Sequence, residues 1–388
     1  MTSLQVCSHF SLPITSNSAD RRSLSSLGLA PQLKDLQEIG AFSLTGPLPN
    51  TFRRKYHDDR SGLRALRRKG PGRTVKNLCI DLNVGADQFQ PRPDPDDPET
   101  NEHLDQLLTW IMKHPEKFDR IRSKVNIVCM RKRLYEIMVT PYERMKGWVI
   151  SACRIDGIIY LTNFETEEAR SERLGMHSDA YKASQYWGYK FEQFMTNDEK
   201  TAATIPPNPY DGFLSIISSK LGSTGMLYAA EIDCYDAAKQ SKGPSSYVEC
   251  KTSRGLTDAD GLSKFLNGKF RRWWAQSYIG GVPLICIGFR NDDGIVTYTD
   301  EMPTDIANYN TLYTNKRINW SPSVCVKFLS DFLAHVRDVV VEDHTKTIYK
   351  FEWNVGWNSV KMQAYDAETC SYKFIPEWFT NRQISKDD

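Results

Sequence analysis

The segment at residues 247–253, YVECKTS, alternates like a β-strand and yet carries two opposite charges on one side. Successive side chains of a strand point to opposite faces, so Glu249 and Lys251 share a face. A Glu-x-Lys triplet is expected about once by chance in a chain of this composition. Taken alone, the triplet is therefore explained by a solvated strand face, and its meaning depends on its neighbours.

A second charged pair lies on the strand predicted over residues 225–236, GMLYAAEIDCYD. Its Glu231 and Asp233 point one way, and the apolar residues between and around them point the other. If this strand neighbours the first, about 4.8 Å away, these carboxylates converge with Glu249. Carboxylates packed so closely repel one another unless a divalent cation neutralises them, and oxygen-only ligands favour Mg²⁺ or Mn²⁺ over Zn²⁺. Lys251 would then orient or deprotonate water, or offset charge on a phosphoryl transition state.

The remaining elements interleave helices and strands without a repeat, which predicts one mixed α/β or α+β domain. Residues 147–161 predict a hairpin around Asp156 and Gly157. Apolar spacing predicts helices that begin near residue 104 and cover 178–196 and 264–281, with a buried strand at 282–290. Within the third helix, the aromatic residues of FRRWW, 270–274, are interpreted as core rather than as a stacking surface.

Charge and cysteine usage limit the possible classes of protein. The net charge is only +2, so nucleic-acid binding requires a local basic patch. Residues 53–73 offer one, with nine Lys or Arg against two Asp, as an RNA-guiding flap, a surface loop or an import-like stretch. No apolar run reaches the roughly 18 residues of a membrane span. Nine scattered cysteines without Cys-x-x-Cys indicate a reducing compartment and argue against a disulfide framework or a zinc site.

Further motifs occur in a fixed order along the chain. Arg131 lies in MRKRLYEIMVTPYE, Glu192 follows Gly188 by four residues in WGYKFEQF, Gln276 ends WWAQ, and FIPEWF lies near the C-terminus. Together with the acidic pair and Glu-x-Lys, this set resembles the DXO/Rai family of RNA 5′-end decapping nucleases, which have a PD-(D/E)xK-like, metal-dependent nuclease site. The resemblance extends from residues 36–44 to residues 376–379.

The resemblance implies an α+β fold of two twisted mixed sheets flanked by helices, with the active-site cleft between the sheets. It also implies two divalent cations, Mg²⁺ or Mn²⁺, held by Glu192, Glu231, Asp233, Glu249 and the main-chain oxygen of Cys250.

The implied substrate contacts come from three side chains. Lys251 would lie beside the attacked phosphate, while Arg131 and Gln276 would bind the first nucleotides. An ordinary surface cation is the alternative for Arg131. The motif around it is Met130-Arg131-Lys132, whereas the family is expected to have Trp-Arg-Gly, so the preference among RNA 5′ ends is left open.

The implied activity is hydrolysis of the phosphodiester after the first nucleotide, which releases the cap with one nucleotide attached, followed by 5′→3′ exoribonuclease activity in mRNA quality control. One alternative is a mainly non-catalytic, stabilising partner of a nuclear 5′→3′ exoribonuclease. A second is a nuclease directed at DNA. A free-standing monomeric enzyme that acts on RNA 5′ ends, without a stable exoribonuclease partner and without a membrane, is expected.

The domain organisation is expected to be simple. Residues 1–34 are predicted to form a flexible N-terminal arm, with a weak mitochondrial presequence as the alternative for the Ser-rich start. Residues 35–388 are predicted to form a single catalytic domain of the DXO/Rai type. The absence of a strong import signal favours a cytoplasmic location, with a nuclear one as the alternative.

Overall fold

The computed structural model describes residues 3–11, 30–49, 51–70, 72–93, 100–174, 179–197, 199–241 and 243–381. The strands are β1 (Ser3–Ser11), β2 (Leu33–Thr45), β3 (Lys55–His57), β4 (Ile80–Asp81), β5 (Ile127–Met130), β6 (Trp148–Ile155), β7 (Ile158–Phe164), β8 (Gly212–Leu221), β9 (Thr224–Glu231), β10 (Cys234–Tyr235), β11 (Tyr247–Arg254), β12 (Leu284–Arg290), β13 (Ile295–Pro303), β14 (Thr347–Trp353) and β15 (Ser359–Asp366). The α-helices are α1 (Asp105–Lys113), α2 (Pro115–Arg122), α3 (Arg131–Val139), α4 (Glu167–Leu174), α5 (Asp179–Thr196), α6 (Glu199–Ala202), α7 (Ala259–Asn267), α8 (Lys269–Ile279), α9 (Ile306–Thr314), α10 (Pro322–Val339) and α11 (Glu377–Thr380).

Two mixed β-sheets form the framework of this part of the chain. The larger has the strand order β1-β15-β14-β6-β7-β5-β9-β8-β2-β3, and the smaller has the order β10-β11-β12-β13-β4. β5 runs parallel to β7 and β9, and β11 runs parallel to β12. α5 packs against β11, and α3 packs against α8 and α10. The predicted α+β fold of two mixed sheets flanked by helices is confirmed.

Local sequence explains the hairpin and one helix break. Asp156 and Gly157 connect β6 to β7 with φ values of 51° and 84°, which is the left-handed conformation that a two-residue type I′ turn requires. The helix predicted over residues 264–281 is divided into α7 and α8 at Gly268, whose φ and ψ of −105° and −101° are not helical. The hairpin prediction is thus confirmed, whereas the prediction of one continuous helix is wrong.

The strands that carry the two charged pairs are not neighbours in one sheet. β9 pairs with β5 and β8 in the larger sheet, whereas β11 belongs to the smaller sheet. The chain leaves the larger sheet after Glu231, and Asp233 lies in the short crossing before β10 joins β11. The condition of adjacent strands is therefore not met, and the carboxylates converge because the chain passes from one sheet to the other.

The basic segment at residues 53–73 is tied into both sheets. β3 pairs with β2 in the larger sheet, and Ala65 forms a bridge with Tyr235 of the smaller sheet. Its arginines form ion pairs with acidic residues elsewhere: Arg53 with Asp105, Arg54 with Glu102, Arg60 with Glu38, Arg68 with Asp236 and Glu301, and Arg73 with Asp300. These contacts indicate that residues 53–73 are a fixed part of the fold rather than a loose surface loop. An RNA-guiding or import role stays a prediction.

The N-terminal region differs in part from the predicted flexible arm. Residues Ser3–Ser11 form β1, which pairs antiparallel with β15 at the edge of the larger sheet. The chain enters β2 at Leu33. Residues 12–29 lie outside the described ranges, so the prediction of an arm is not tested there. No helix in the described residues has the length and apolarity needed to cross a membrane.

Candidate active site

Glu249 and Lys251 lie on β11, just beyond the point where β10 stops pairing with one edge of this strand. β10 pairs only with the first two residues of β11, whereas β12 pairs with β11 from Val248 to Arg254 on the other side. The N–H of Cys250 donates to Oδ2 of Asp233 at 2.7 Å instead of joining a ladder. This hydrogen bond places Asp233 beside β11.

Glu249 is almost completely enclosed, with 1% of its side chain exposed. Its Oε1 accepts from Lys251 Nζ at 2.6 Å and from Gln276 Nε2, and its Oε2 accepts from Arg131 Nη1 at 3.3 Å. Burial opposes ionisation of this carboxyl, but the Lys251 ammonium and the Arg131 guanidinium hold its pKa below its usual value. Glu249 is therefore an anion whose two oxygens both have donors.

Asp233 and Glu192 differ from Glu249, because their pKa values are raised rather than lowered. Burial, reinforced by the charge of Glu249, raises the pKa of Asp233 to about 7. Burial and then the charge of Asp233 raise the pKa of Glu192 well above its usual value. The Lys251 ammonium, 3.7 Å from Asp233 Oδ2, offsets only part of this effect. The cluster thus holds more carboxylates than its own cations neutralise, and protons or metal ions supply the rest.

Arg131 ties the end of β9 to β11. It is 5% exposed, and besides its contact with Glu249 it donates from Nη2 to the main-chain oxygen of Glu231 at 2.6 Å. The Glu231 side chain is 57% exposed, with Oε1 3.8 Å from Arg54 Nη1. The interpretation of Arg131 as an ordinary surface cation is therefore wrong, while its proposed contact with phosphate stays a prediction.

The eight residues selected from the sequence all line one cavity of about 750 Å³: Arg131, Glu192, Glu231, Asp233, Glu249, Cys250, Lys251 and Gln276. Gly188 of α5 also lines it, and a Cβ at Gly188 would project into open space. Because glycine inside a helix costs about 1 kcal/mol relative to alanine, this glycine is consistent with a need to keep the cavity wide.

Sequence reasoning missed other residues of the cavity wall, notably Arg54, Arg64, Arg92, Glu102 and Trp273. Glu102 accepts from both Arg54 and Arg92, at 2.9 and 3.1 Å. The basic composition of residues 53–73 was a signal for Arg54 and Arg64, but no local pattern identified Arg92 or Glu102. Their proximity depends on contacts between distant parts of the chain.

The carboxylate oxygens of this cluster are of the type that a hard divalent cation prefers. In this structure, Glu249 and Asp233 instead accept hydrogen bonds from groups of the protein itself. In the described ranges, no group of three or more Asp, Glu, His or Cys side chains is positioned to hold a metal ion. Both oxygens of Glu249 accept hydrogen bonds, from Lys251, Gln276 and Arg131. Burial and then the charge of Glu249 raise the pKa of Asp233, so an added positive charge nearby would favour its ionised form. The residues therefore fit the ion once Glu249 exchanges a partner.

We expect Glu192→Gln to reduce the pH dependence of stability in the metal-free protein. The folded-state pKa of Glu192 is raised, so the wild-type fold loses stability as the pH rises above the unfolded-state pKa of about 4.5. Glutamine cannot ionise, so the decrease in Tm from pH 5 to pH 8 becomes smaller by a few degrees. Thermal melts in EDTA measure this.

The control for this prediction is Glu368→Gln, which removes an exposed carboxylate from the turn after β15. It should leave the pH dependence of the wild type in place. An equal decrease in Tm for wild type and Glu192→Gln would show that the fold does not oppose ionisation of Glu192.

Three comparisons with known proteins bear on the family and the fold of this chain. The family model described as RAI1 like PD-(D/E)XK nuclease matches residues 34–380. The human decapping and exoribonuclease protein is 34% identical over 362 residues, which cover 91% of this chain and 86% of the human protein. Rai1 of Candida albicans, solved in complex with pU5 and Mn²⁺, has a TM-score of 0.76 at 20% identity and covers 97% of this chain and 99% of its own. Rai1 of Scheffersomyces stipitis, solved with (3′-NADP)+ and a calcium ion, has a TM-score of 0.74 at 18% identity, with 99% of both chains covered. The chain therefore belongs to the RAI1-like PD-(D/E)XK nuclease family.

Proposed function

We propose that this protein is a metal-dependent nuclease that removes the 5′ cap of RNA together with the first nucleotide and then degrades the RNA 5′→3′. The observation that carries the proposal is the carboxylate cluster with Lys251 and Arg131 inside one cavity, in a chain of a nuclease family. The name of the human relative, a decapping and exoribonuclease protein, supports the reaction. The pU5 held by Candida albicans Rai1 supports an RNA ligand.

We assign metal binding to Glu192, Glu231, Asp233, Glu249 and the main-chain oxygen of Cys250, as ligands of two Mg²⁺ or Mn²⁺ ions. Glu249 and Cys250 lie on β11, Asp233 lies in the crossing that leads to it, Glu231 ends β9 and Glu192 lies on α5. The Mn²⁺ and Ca²⁺ in the related structures support a divalent ion. When bound, such ions supply the charge that activates the attacking water and stabilises the leaving oxygen.

Lys251 fits the role of a fixed cation in this reaction. Burial disfavours its charge, but Glu249, Asp233 and Glu192 raise its pKa above the usual lysine value. A protonated amine donates to a phosphate oxygen and stabilises the negative charge that develops there, and it takes no proton from water. Charge stabilisation is the role that we propose for Lys251, with deprotonation or orientation of water as the alternatives.

The reaction balances as a simple hydrolysis. The water oxygen forms a bond to the phosphorus between the first and second nucleotides, and the bond from phosphorus to the 3′ oxygen of the first nucleotide breaks. The leaving 3′ oxygen takes a proton, and the capped first nucleotide departs. The shortened RNA keeps a 5′ phosphate and can enter the same cavity for the next cleavage.

The test is incubation of the protein with RNAs that differ only at the 5′ end, in Mn²⁺ and in EDTA. The set contains methylated and unmethylated guanosine caps, an NAD cap, triphosphate, monophosphate and hydroxyl ends, with duplex DNA beside them. We expect release of the cap with one nucleotide, identified by mass spectrometry, and then progressive shortening in Mn²⁺ but not in EDTA. Cleavage of duplex DNA with every RNA left intact would overturn the proposal in favour of a DNA nuclease.

A further inference from the structure

Two adjacent tryptophans of α8 have different surroundings. Trp274 is fully buried, stacks on Tyr278 and donates from its indole Nε1 to the main-chain oxygen of Thr304 at 3.1 Å. Trp273 is half-buried and lines the active-site cavity. The interpretation of the FRRWW aromatics as core therefore holds for Phe270 and Trp274, both fully buried, and is incomplete for Trp273.

The position of Trp273 along α8 places it next to the carboxylate cluster. It precedes Gln276 by three residues, so the two lie on the same helix face with Cβ atoms about 5–6 Å apart. Gln276 reaches Glu249 with its amide. The indole of Trp273 is thus one helical turn from a side chain that contacts the cluster, and Lys132 of α3 lines the same cavity.

The ring of Trp273 is held in place on one side and has an unused polar atom. Its centroid lies 5.6 Å from that of Phe265, with the ring planes at 67°, and such an edge-to-face contact fixes the ring orientation. The indole N–H groups of Trp274 and Trp320 donate to main-chain oxygens. The Trp273 Nε1 makes no hydrogen bond to another residue within the described ranges. A rigid aromatic side chain thus borders the cavity.

We infer that Trp273 is a stacking platform for one base of the bound RNA, next to the cleaved phosphodiester on the Gln276 side. The inference rests on the proposed function, because it needs RNA in this cavity. Every base has an aromatic face, so stacking grips RNA without regard to sequence. Lys132 lies on the same cavity wall, with its amine 3.9 Å from Glu136 Oε1 in a partly exposed pair. This amine would contact the phosphate next to the stacked base.

The experiment compares Trp273→Ala, Trp273→Phe and the control Trp357→Ala on 5′-monophosphorylated pentauridylate in Mn²⁺. Trp357 is half-buried, lies 3.8 Å from the Lys361 amine and is not part of the cavity wall. We expect Trp273→Ala to raise KM about tenfold with a much smaller change in kcat, since one stacked base contributes binding of this order. Trp273→Phe keeps an aromatic face and a ring next to Phe265, so its KM should rise less than that of Trp273→Ala.

A scan with abasic nucleotides separates stacking from a structural role. Removal of the base at one position should raise the wild-type KM about as much as Trp273→Ala does. When Trp273→Ala acts on that abasic RNA, its KM should be little higher than with either change alone. Quenching of tryptophan emission on RNA binding, followed by stopped flow, should be reduced in Trp273→Phe and kept in Trp357→Phe. An equal KM increase for Trp273→Ala on intact and on every abasic RNA, or no increase, would overturn the inference. A wild type that cleaves no RNA would overturn the proposed function instead.

Discussion

Replacing Glu231 and Asp233 together with alanine is expected to reduce cleavage of capped RNA in Mn²⁺ by at least about a thousandfold. The two carboxylates come from the end of β9 and from the crossing to β10, so they form one wall of the cluster. Without them, Glu249 keeps its contacts to Lys251 and Arg131, and little charge remains to attract a divalent ion. The measurement is the single-turnover rate on end-labelled RNA, with Mn²⁺ binding followed by calorimetry.

The double variant should fold like the wild type when no metal is present. Glu231 is largely exposed, and removal of Asp233 relieves the burial of its charge and its repulsion from Glu249, which together raise its pKa. Asp233 also accepts the Cys250 N–H, so Asp233→Asn serves as the variant that keeps an acceptor while it loses the charge. A collapse of Tm in EDTA for the alanine pair but not for Asp233→Asn would assign this residue a structural role as well.

Asp236 provides the matched control for this experiment. It lies three residues after Asp233, but its carboxylate pairs with Arg68 at 3.0 Å and does not line the cavity. The guanidinium of Arg68 lowers the pKa of Asp236, so Asp236→Asn removes a stabilising charge without touching the cluster. Folded Asp236→Asn should cleave RNA at the wild-type rate. Wild-type activity in the Glu231→Ala, Asp233→Ala variant would exclude these residues as metal ligands.

The sequence predicts the site residues better than it predicts how they meet. Period-two alternation places Glu249 and Lys251 on one face, and the ordered motifs add Glu192 and Arg131. Alternation does not tell whether β9 and β11 are neighbours, because strand pairing depends on contacts between residues distant in sequence. β9 itself ends at Glu231, and the chain crosses to the other sheet within two residues.

The number of Lys and Arg residues in the segment 53–73 does not by itself show how much positive charge the segment exposes. Nine cations in residues 53–73 predict an electrostatic surface, yet Arg60 and Arg68 meet carboxylates of Glu38, Asp236 and Glu301. Those partners lie before the segment or far beyond it in the chain. A local count of charges cannot include them, so it overestimates the free positive charge. The family resemblance supplied what local physics did not, namely which of many charged residues share one cavity.

Lys251→Met is expected to reduce both RNA cleavage and metal-free stability, with the larger loss of stability at alkaline pH. Methionine keeps most of the side-chain length but loses the ammonium that contacts Glu249 at 2.6 Å and Asp233 at 3.7 Å. RNA cleavage should fall about a hundred- to a thousandfold, the usual loss when one charged donor at a transition state is removed. Breaking a buried ion pair by removing one partner costs about 3–5 kcal/mol, so Tm should fall clearly at pH 8 in EDTA.

Acid and Mn²⁺ should each restore part of this lost stability. The folded-state pKa of Asp233 is raised to about 7, and loss of a neighbouring cation raises it further, so protonation at pH 5 removes the repulsion that is present at pH 8. Mn²⁺ replaces the missing positive charge and should raise the Tm of Lys251→Met more than that of the wild type. Lys264→Met, which removes an exposed lysine paired with Asp260 on α7, should show little of either effect. If Lys251→Met melts at the wild-type temperature in EDTA at pH 8, the ammonium does not neutralise the carboxylates of this cluster, and its role is confined to the bound substrate.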